Sequence, residues 1–191
     1  MKIKYVGHFL FLFILLSISC KTANFSKNVF DVNGMVYDFS NRPVPYCEII
    51  IGNKYKTSTD INGRFTLPGI SIGDYSISGE KRGFEAFFDL ISVRERGQII
   101  YFRIPSQSQL LFLLDEALSV NDLSTANEMA YRAYNIDENN IEMLFYYAVV
   151  KFKEHDYENA VEFLQKAIDL GSKDVYIMKF LSILEEILNE N

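Results

Sequence analysis

The sequence predicts a two-domain α+β protein, with an N-terminal seven-stranded antiparallel β-sandwich and C-terminal α-helical hairpin repeats. Turn residues give the first indication, because eight of the ten glycines and three of the four prolines lie within residues 31–104. After Pro105 the chain has one glycine and no proline. Two segments after that point also match each other, one beginning at Asp122 and the other at Asp156.

Residues 1–19 have the pattern of a secretory signal peptide. Lys2 and Lys4 precede an apolar run over residues 6–18, and small Ser19 follows it. The run is shorter than the roughly 20 residues of a membrane-spanning helix, which favours a cleaved signal. An uncleaved N-terminal anchor is the alternative.

The end of this segment, "LLSISC", resembles a bacterial lipobox, with Cys20 at the position of the lipidated cysteine and Ser17 where Leu is usual. The resemblance implies cleavage before Cys20 and attachment of acyl chains to it. Several acyl chains anchor a protein stably, whereas a single chain binds only marginally. We therefore expect an exported protein, lipid-anchored in the bacterial cell envelope at the outer or cytoplasmic membrane, with polar residues 20–30 as a lipidated tether.

The charge balance argues against two classes of partner. Removal of residues 1–19 leaves 17 basic and 25 acidic residues, a net charge of −8. This charge disfavours nucleic-acid binding through a basic face and adsorption of the protein itself to anionic lipid. If Cys20 is lipidated, Cys47 has no partner for an intramolecular disulfide, and its apolar surroundings in "YCEIII" predict a buried small side chain.

Short apolar runs between turn residues define the β-domain, residues 31–104. Tyr75 and Ile77 alternate with serines, as in a half-buried strand. The "YCEIIIG" run is apolar on nearly both faces and predicts a central strand. The predicted strands are 32–38, 45–52, 54–59, 63–68, 73–81, 85–93 and 98–104.

The stretch "TDINGRF", residues 59–65, has the acidic and amide residues of either a calcium loop or a tight turn. Counted from Asp60, an EF-hand loop needs glycine at the sixth position and glutamate at the twelfth, where this chain has Phe65 and Ser71. Asp60, Asn62 and Gly63 are instead suited to a hairpin turn. The pattern predicts a hairpin without a metal ion.

An ordered set of motifs between Gly34 and Phe84 resembles the carboxypeptidase regulatory-like domain, a transthyretin-like β-sandwich. The matching pieces are Gly34-x-Val36, Pro43-Val44-Pro45, Thr59-Asp60-x-Asn62-Gly63-x-Phe65, Gly73-x-Tyr75 and Gly83-Phe84. The resemblance implies a non-catalytic module with a binding or spacing role.

Residues 105–191 have the pattern of paired helices. Ser106 and Gln109 form a predicted capping box. Asp122 matches Asp156, and alanines match at 126/160 and 133/167, which gives a period of about 34 residues. This period and the recurring alanines resemble the tetratricopeptide repeat. The resemblance implies repeats at 107–140 and 141–174, and a capping helix from about 175 to 189.

The resemblance also implies a partner-binding groove on the first helix of each repeat. Its predicted lining includes Leu111, Asp115, Phe145, Val149, Phe152 and Lys179, with Ser108, Leu118, Glu142, Tyr176 and Ile183 as further members. We expect an apolar groove that binds a peptide, packs against the β-domain or contacts a second copy. The groove side chains should serve binding, whereas Ala160 and Ala167 should serve folding.

No enzyme motif, metal site or cofactor site is predicted. The mature chain has one histidine, His155, at a turn between helices, and no partners stand at ligand spacing. Nucleophile-elbow, phosphate-loop and dinucleotide-binding signatures are missing. We therefore expect a non-enzymatic protein without cofactors.

Two functions fit these expectations. The first is a cell-envelope lipoprotein that acts as a scaffold, binding a protein or peptide partner or a second copy, without nucleic acid. The second is an envelope protein that binds carbohydrate or peptidoglycan through Tyr37, Tyr46 and Tyr55, although the chain lacks tryptophan.

Overall fold

The computed structural model describes residues 29–190. The predicted signal peptide, Cys20 and most of the tether lie outside these residues. An N-terminal β-region has seven strands: β1 (Val29–Tyr37), β2 (Glu48–Ile51), β3 (Tyr55–Ser58), β4 (Arg64–Ser71), β5 (Gly73–Glu80), β6 (Phe87–Val93) and β7 (Ile99–Arg103). Five helices follow, so the protein is α+β as predicted.

The strands form two sheets that enclose one apolar core. The first sheet has the order β4-β1-β7 and the second has the order β3-β2-β5-β6. Alternate side chains of both sheets point inward, because successive residues of a strand face opposite sides. The core includes Val36, Ile49, Ile51, Ile70 and Ile77, each with 0% exposure.

Cys47 belongs to the same core, as the sequence predicts. Its side chain has 0% exposure. Burial raises the pKa of the Cys47 thiol to about 11, since a thiolate is poorly solvated there. The residue therefore contributes packing and not a reactive thiolate at neutral pH.

One strand pair departs from the predicted antiparallel arrangement. β1 and β7 run parallel, with Asn33 opposite Ile99 and Tyr37 opposite Arg103. The remaining strand pairs, β1–β4, β2–β3, β2–β5 and β5–β6, are antiparallel. Because β1 and β7 point the same way, the chain enters the sandwich at Val29 and leaves after Arg103 at the opposite end.

Residues 59–65 form a tight turn, but not a β-hairpin. The Asp60 carboxylate accepts hydrogen bonds from the backbone N–H groups of Asn62 and Arg64, at 2.8 and 2.9 Å. Gly63 has φ +73°, a conformation that glycine adopts at little cost. The flanking strands β3 and β4 belong to different sheets, so the turn carries the chain across the sandwich. The sequence prediction of a turn is confirmed, and the prediction of a hairpin is wrong.

The helices are α1 (Gln107–Ser119), α2 (Leu123–Ile136), α3 (Ile141–Lys153), α4 (Tyr157–Asp169) and α5 (Val175–Glu190). The first residues of alternate helices are equally spaced, since the steps from α1 to α3, from α2 to α4 and from α3 to α5 are the same. Within residues 29–190, no helix is both long and apolar enough to cross a bilayer.

Polar side chains cap the N-termini of four of the helices. Ser106 and Gln109 form the predicted capping box at α1, and Asn140 caps α3. Asp122 and Asp156 cap α2 and α4 through the N–H groups of Thr125 and Asn159. The match between these two aspartates therefore has a structural cause, since a cap side chain satisfies backbone donors that the helix leaves unpaired.

Small residues bring the helices of each pair close together. Ala126, Ala133, Ala160 and Ala167 all have 0% exposure and belong to one helical core, as predicted. The side-chain amide of Gln107 is buried in this region and connects α2 with the start of α3. Its Nε2 donates to the carbonyl oxygens of Ala133 and Asp137, both at 3.0 Å, and its Oε1 accepts from Asn140 at 2.9 Å.

The sandwich and the helices are joined by direct contacts. Backbone N–H groups of Glu85 and Gln107 donate to the carbonyl oxygens of Pro105 and Gly83, each at 3.0 Å. Arg132 of α2 forms a bidentate salt bridge with Glu85, and both N···O distances are 2.8 Å. Such paired contacts fix orientation as well as distance.

Candidate functional site

Two adjacent clefts lie along α1, α3 and α5, the helices on which the sequence predicts a groove. On α1 and α3, the lining side chains stand three or four residues apart and therefore share one helix face. Together with the lining residues at the start of α5, they form one surface. We call this surface the groove and define it by the residues that line its two clefts.

The first cleft lies between α1 and α3 and encloses about 240 Å³. Its walls are both apolar and acidic, and the Tyr146 hydroxyl donates to Asp115 Oδ1 at 3.4 Å. Burial, together with the negative charges of Asp115 and Glu142, raises the pKa of Tyr146. The lining residues are Ser108, Leu111, Phe112, Asp115, Glu142 and Tyr146.

The second cleft lies between α3 and α5 and encloses about 450 Å³. Apolar side chains form most of its surface, and Glu142 and Asp174 are its acidic members. The lining residues are Ile141, Glu142, Phe145, Asp174, Tyr176 and Ile177. Glu142 lines both clefts, so the two clefts are neighbours on the surface.

An aromatic cluster continues the groove along α3 and α5. The ring centroids of Phe145 and Phe180 are 6.4 Å apart, and those of Phe152 and Phe180 are 5.4 Å apart with the rings nearly perpendicular. Edge-to-face pairs of this kind stabilise beyond area burial alone. Phe180 therefore occupies the place on α5 where Lys179 was expected, and Lys179 is exposed and lines neither cleft.

The predicted groove residues differ in how far they are free to contact a ligand. Leu111 is only 6% exposed and forms a buried wall of the first cleft. Asp115 is exposed, and Phe145 is half-buried and packs against the helical core. Val149 is half-buried, and Phe152 is 36% exposed. Phe145 thus serves folding as well as the groove, which corrects the expected separation of the two roles.

The sequence analysis did not single out several groove residues. Phe112, Tyr146 and Asp174 line the clefts one or two positions away from the expected repeat positions. Phe180, one position after Lys179, lines neither cleft but contacts the groove residue Phe145. The spacing of Tyr176, Phe180 and Ile183 on α5 would have indicated Phe180, since these residues stand four and three apart.

The side chains considered for chemistry lie apart from the groove. His155 is an exposed turn residue with φ +62°, and its Nδ1 lies 3.0 Å from the Tyr157 hydroxyl. Residues 29–190 contain no group of three or more His, Cys, Asp or Glu residues placed to hold a metal ion. In the part of the chain that is described, every buried side-chain nitrogen or oxygen has a hydrogen-bond partner.

The three tyrosines considered for carbohydrate binding lie on different parts of the sandwich. Tyr37 belongs to the three-stranded sheet and Tyr55 to the four-stranded sheet. Tyr46 stands in the β1–β2 connection and is 64% exposed. These rings therefore do not form one flat platform.

Comparisons with known proteins assign no family. No family model matches the chain, and no curated protein matches it. A chain of the type II cohesin–X-dockerin complex from Acetivibrio cellulolyticus has 16% identity and a TM-score of 0.36, over 40% of this chain and 58% of its own. Catechol 1,2-dioxygenase from Pseudomonas arvilla C-1 has 11% identity and a TM-score of 0.34, over 44% of this chain and 54% of its own. The same enzyme from Acinetobacter sp. ADP1 has 9% identity and a TM-score of 0.32, over 44% and 55%. The chain is similar to these proteins only over part of their length, and similarities this low identify neither its family nor its activity.

Proposed function

We propose that the protein is a non-catalytic, lipid-anchored scaffold of the bacterial cell envelope. In this proposal the carboxypeptidase regulatory-like β-sandwich is a spacer, and the tetratricopeptide-like helices hold a protein partner in the groove. The observation that carries the proposal is the placement of the groove on helices that leave the sandwich at the end opposite Val29.

The direction of β1 and β7 supports the spacer role. Val29, the first described residue, lies at one end of the sandwich, and the proposed anchor Cys20 precedes it in the chain. β1 has nine residues, and an extended strand rises about 3.3 Å per residue. The sandwich therefore separates its two ends by roughly 30 Å, a distance that would hold the groove clear of lipid headgroups.

The junction supports a fixed presentation of the groove. The Glu85–Arg132 salt bridge has side chains that are 32% and 26% exposed, so solvent screens it less than a fully exposed pair. Gln109 Nε2 also donates to the Ser40 hydroxyl at 2.9 Å. These contacts tie α1 and α2 to two loops of the sandwich, which favours a scaffold that presents its partner at one orientation.

The test is affinity purification from intact envelopes that carry the protein with its native anchor. Tyr176 is 78% exposed and lines the second cleft, so Tyr176→Ala should spare the fold and reduce capture of the partner. Tyr131, 59% exposed on α2, lies outside both clefts, and Tyr131→Ala is the matched control.

Loss of one specific protein with Tyr176→Ala, but not with Tyr131→Ala, supports the scaffold. Equal capture by both variants contradicts a role for the groove. Enrichment of peptidoglycan in place of a protein would favour the alternative, a carbohydrate-binding envelope protein.

A further inference from the structure

We infer that the groove binds a segment of a partner protein in which a bulky apolar side chain stands next to Lys or Arg. This inference rests on the proposed function, because it names the chemistry of the partner that the groove would hold. It is carried by an apolar cleft and by acidic side chains that line the same groove.

The apolar part of the segment would occupy the second cleft. Phe145, Tyr176 and Ile177 surround this space of about 450 Å³, which is within the size range of pockets that bury a ligand group. Tyr176 is 78% exposed here, although most large aromatic side chains are well buried in folded proteins. A ligand side chain on this ring would remove apolar surface from water, which is favourable.

The charge of the groove indicates the rest of the segment. Asp115, Glu142 and Asp174 line the two clefts, and the salt bridges among the described residues involve none of these carboxylates. Within residues 29–190, no Lys or Arg side chain lines either cleft. Carboxylates in clefts that no Lys or Arg lines favour a cationic ligand, because complementary charges speed encounter and exclude partners of like charge.

Charge also argues against a second copy of this chain as the occupant. The mature chain has a net charge of −8, so two copies repel each other at low ionic strength. The acidic groove would add to that repulsion. A partner segment with basic residues avoids this cost.

The experiment measures fluorescence anisotropy of short labelled peptides with the full lipidated protein in phosphatidylcholine nanodiscs. One peptide alternates Leu or Phe with Lys, a second has Glu in place of Lys, and a third has Ser in place of Leu and Phe. Empty nanodiscs correct for peptide bound to lipid. We expect the Lys peptide to bind about 10-fold more tightly than either of the other peptides. Its affinity should fall as the salt concentration rises.

Two charge-reversal variants locate the effect. Glu142→Lys should lower the affinity for the Lys peptide by about 10-fold, because it replaces attraction with repulsion. For the same reason it should raise the affinity for the Glu peptide. Glu162 is exposed on α4, outside the groove, so Glu162→Lys makes the same change in net charge and should leave both affinities nearly unchanged.

Equal affinity for the Lys and Glu peptides, no binding of any peptide, or equal weakening by Glu142→Lys and Glu162→Lys would overturn the inference. Tyr176→Ala shows whether only the inferred partner chemistry is wrong or the proposed scaffold function is wrong as well. If envelope capture still depends on Tyr176, the scaffold stands and only the partner chemistry is wrong. If neither capture nor peptide binding depends on Tyr176, both proposals fail.

Discussion

The turn at residues 59–65 allows a quantitative test of how the chain crosses from one sheet to the other. Gly63 has φ +73°, and a Cβ placed there would collide with the backbone oxygen of Val36 and lie 3.1 Å from Pro43 Cβ. Gly97 has φ +81°, but a Cβ there would meet nothing within 4 Å. The two glycines thus share one backbone conformation and differ in their surroundings.

The expected cost of each alanine substitution follows from this difference. Holding a non-glycine residue in the left-handed region costs about 1–2 kcal/mol, and this term applies to both sites. Displacing packed neighbours adds about 1–3 kcal/mol, and this term applies only to Gly63. We therefore expect Gly63→Ala to lower the free energy of unfolding by about 2–5 kcal/mol and Gly97→Ala by about 1–2 kcal/mol.

Urea denaturation of the purified protein, followed by far-ultraviolet circular dichroism, measures both values. Reduced conformational freedom of the unfolded chain offsets the cost similarly in both variants, so their difference reports the contact with Val36. If the two variants lose equal stability, the turn does not pack against β1 as described, and the steric argument is wrong.

Four further predictions follow, three from the structure and the last from the sequence. Ala160→Leu should overpack the core at a fully buried position of α4 and lower the free energy of unfolding by about 1–3 kcal/mol. Glu162→Leu, at an exposed position of the same helix, should change that free energy little. Equal losses of stability in the two variants would contradict the described packing. The Cys47 thiol, with a pKa of about 11, should react with Ellman's reagent at pH 8 only as fast as the chain unfolds, and rapid labelling of the folded protein would show that it is accessible. Calcium should leave the Tm unchanged, because backbone N–H groups already engage the Asp60 carboxylate; a saturable rise that Asp60→Ala abolishes would reveal a metal site. Finally, Cys20→Ala should release the protein from the membrane fraction or leave the precursor uncut, and wild-type processing and fractionation of this variant would disprove lipidation.

Local features of the fold could be predicted because short-range chemistry determines them. The alternation around Ile77 predicts a strand, and the match between the segments that begin at Asp122 and Asp156 marks where α2 and α4 begin. The aspartates at 122 and 156 recur because each caps a helix, and the alanines recur because helices approach closely there. Each of these signals depends on neighbours within a few residues along the chain.

The candidate groove remains a prediction, although part of its lining follows from the repeat period. That period predicts Ser108, Leu111, Asp115 and Glu142 as lining residues, and these four side chains line the first cleft. It could not determine that Phe180, one residue after Lys179, would meet Phe145 and Phe152. One position along a helix rotates a side chain by about 100°, so a small error in phase exchanges a lysine for an aromatic ring in the groove.

From the sequence alone we could predict the α+β class, the order of the elements, the tight turn after Thr59 and the burial of Cys47. The parallel pairing of β1 with β7 and the placement of β3 and β4 in different sheets depend on the folded packing of the whole domain. The tertiary structure also brings Glu85 to Arg132, 47 residues away, in the junction between the sandwich and the helices. Alternation along a strand reports which face is buried, but it contains no information about which strand lies beside it. Strand pairing depends on how both sheets together bury their apolar faces, and that packing places the groove at the end of the molecule opposite the start of β1.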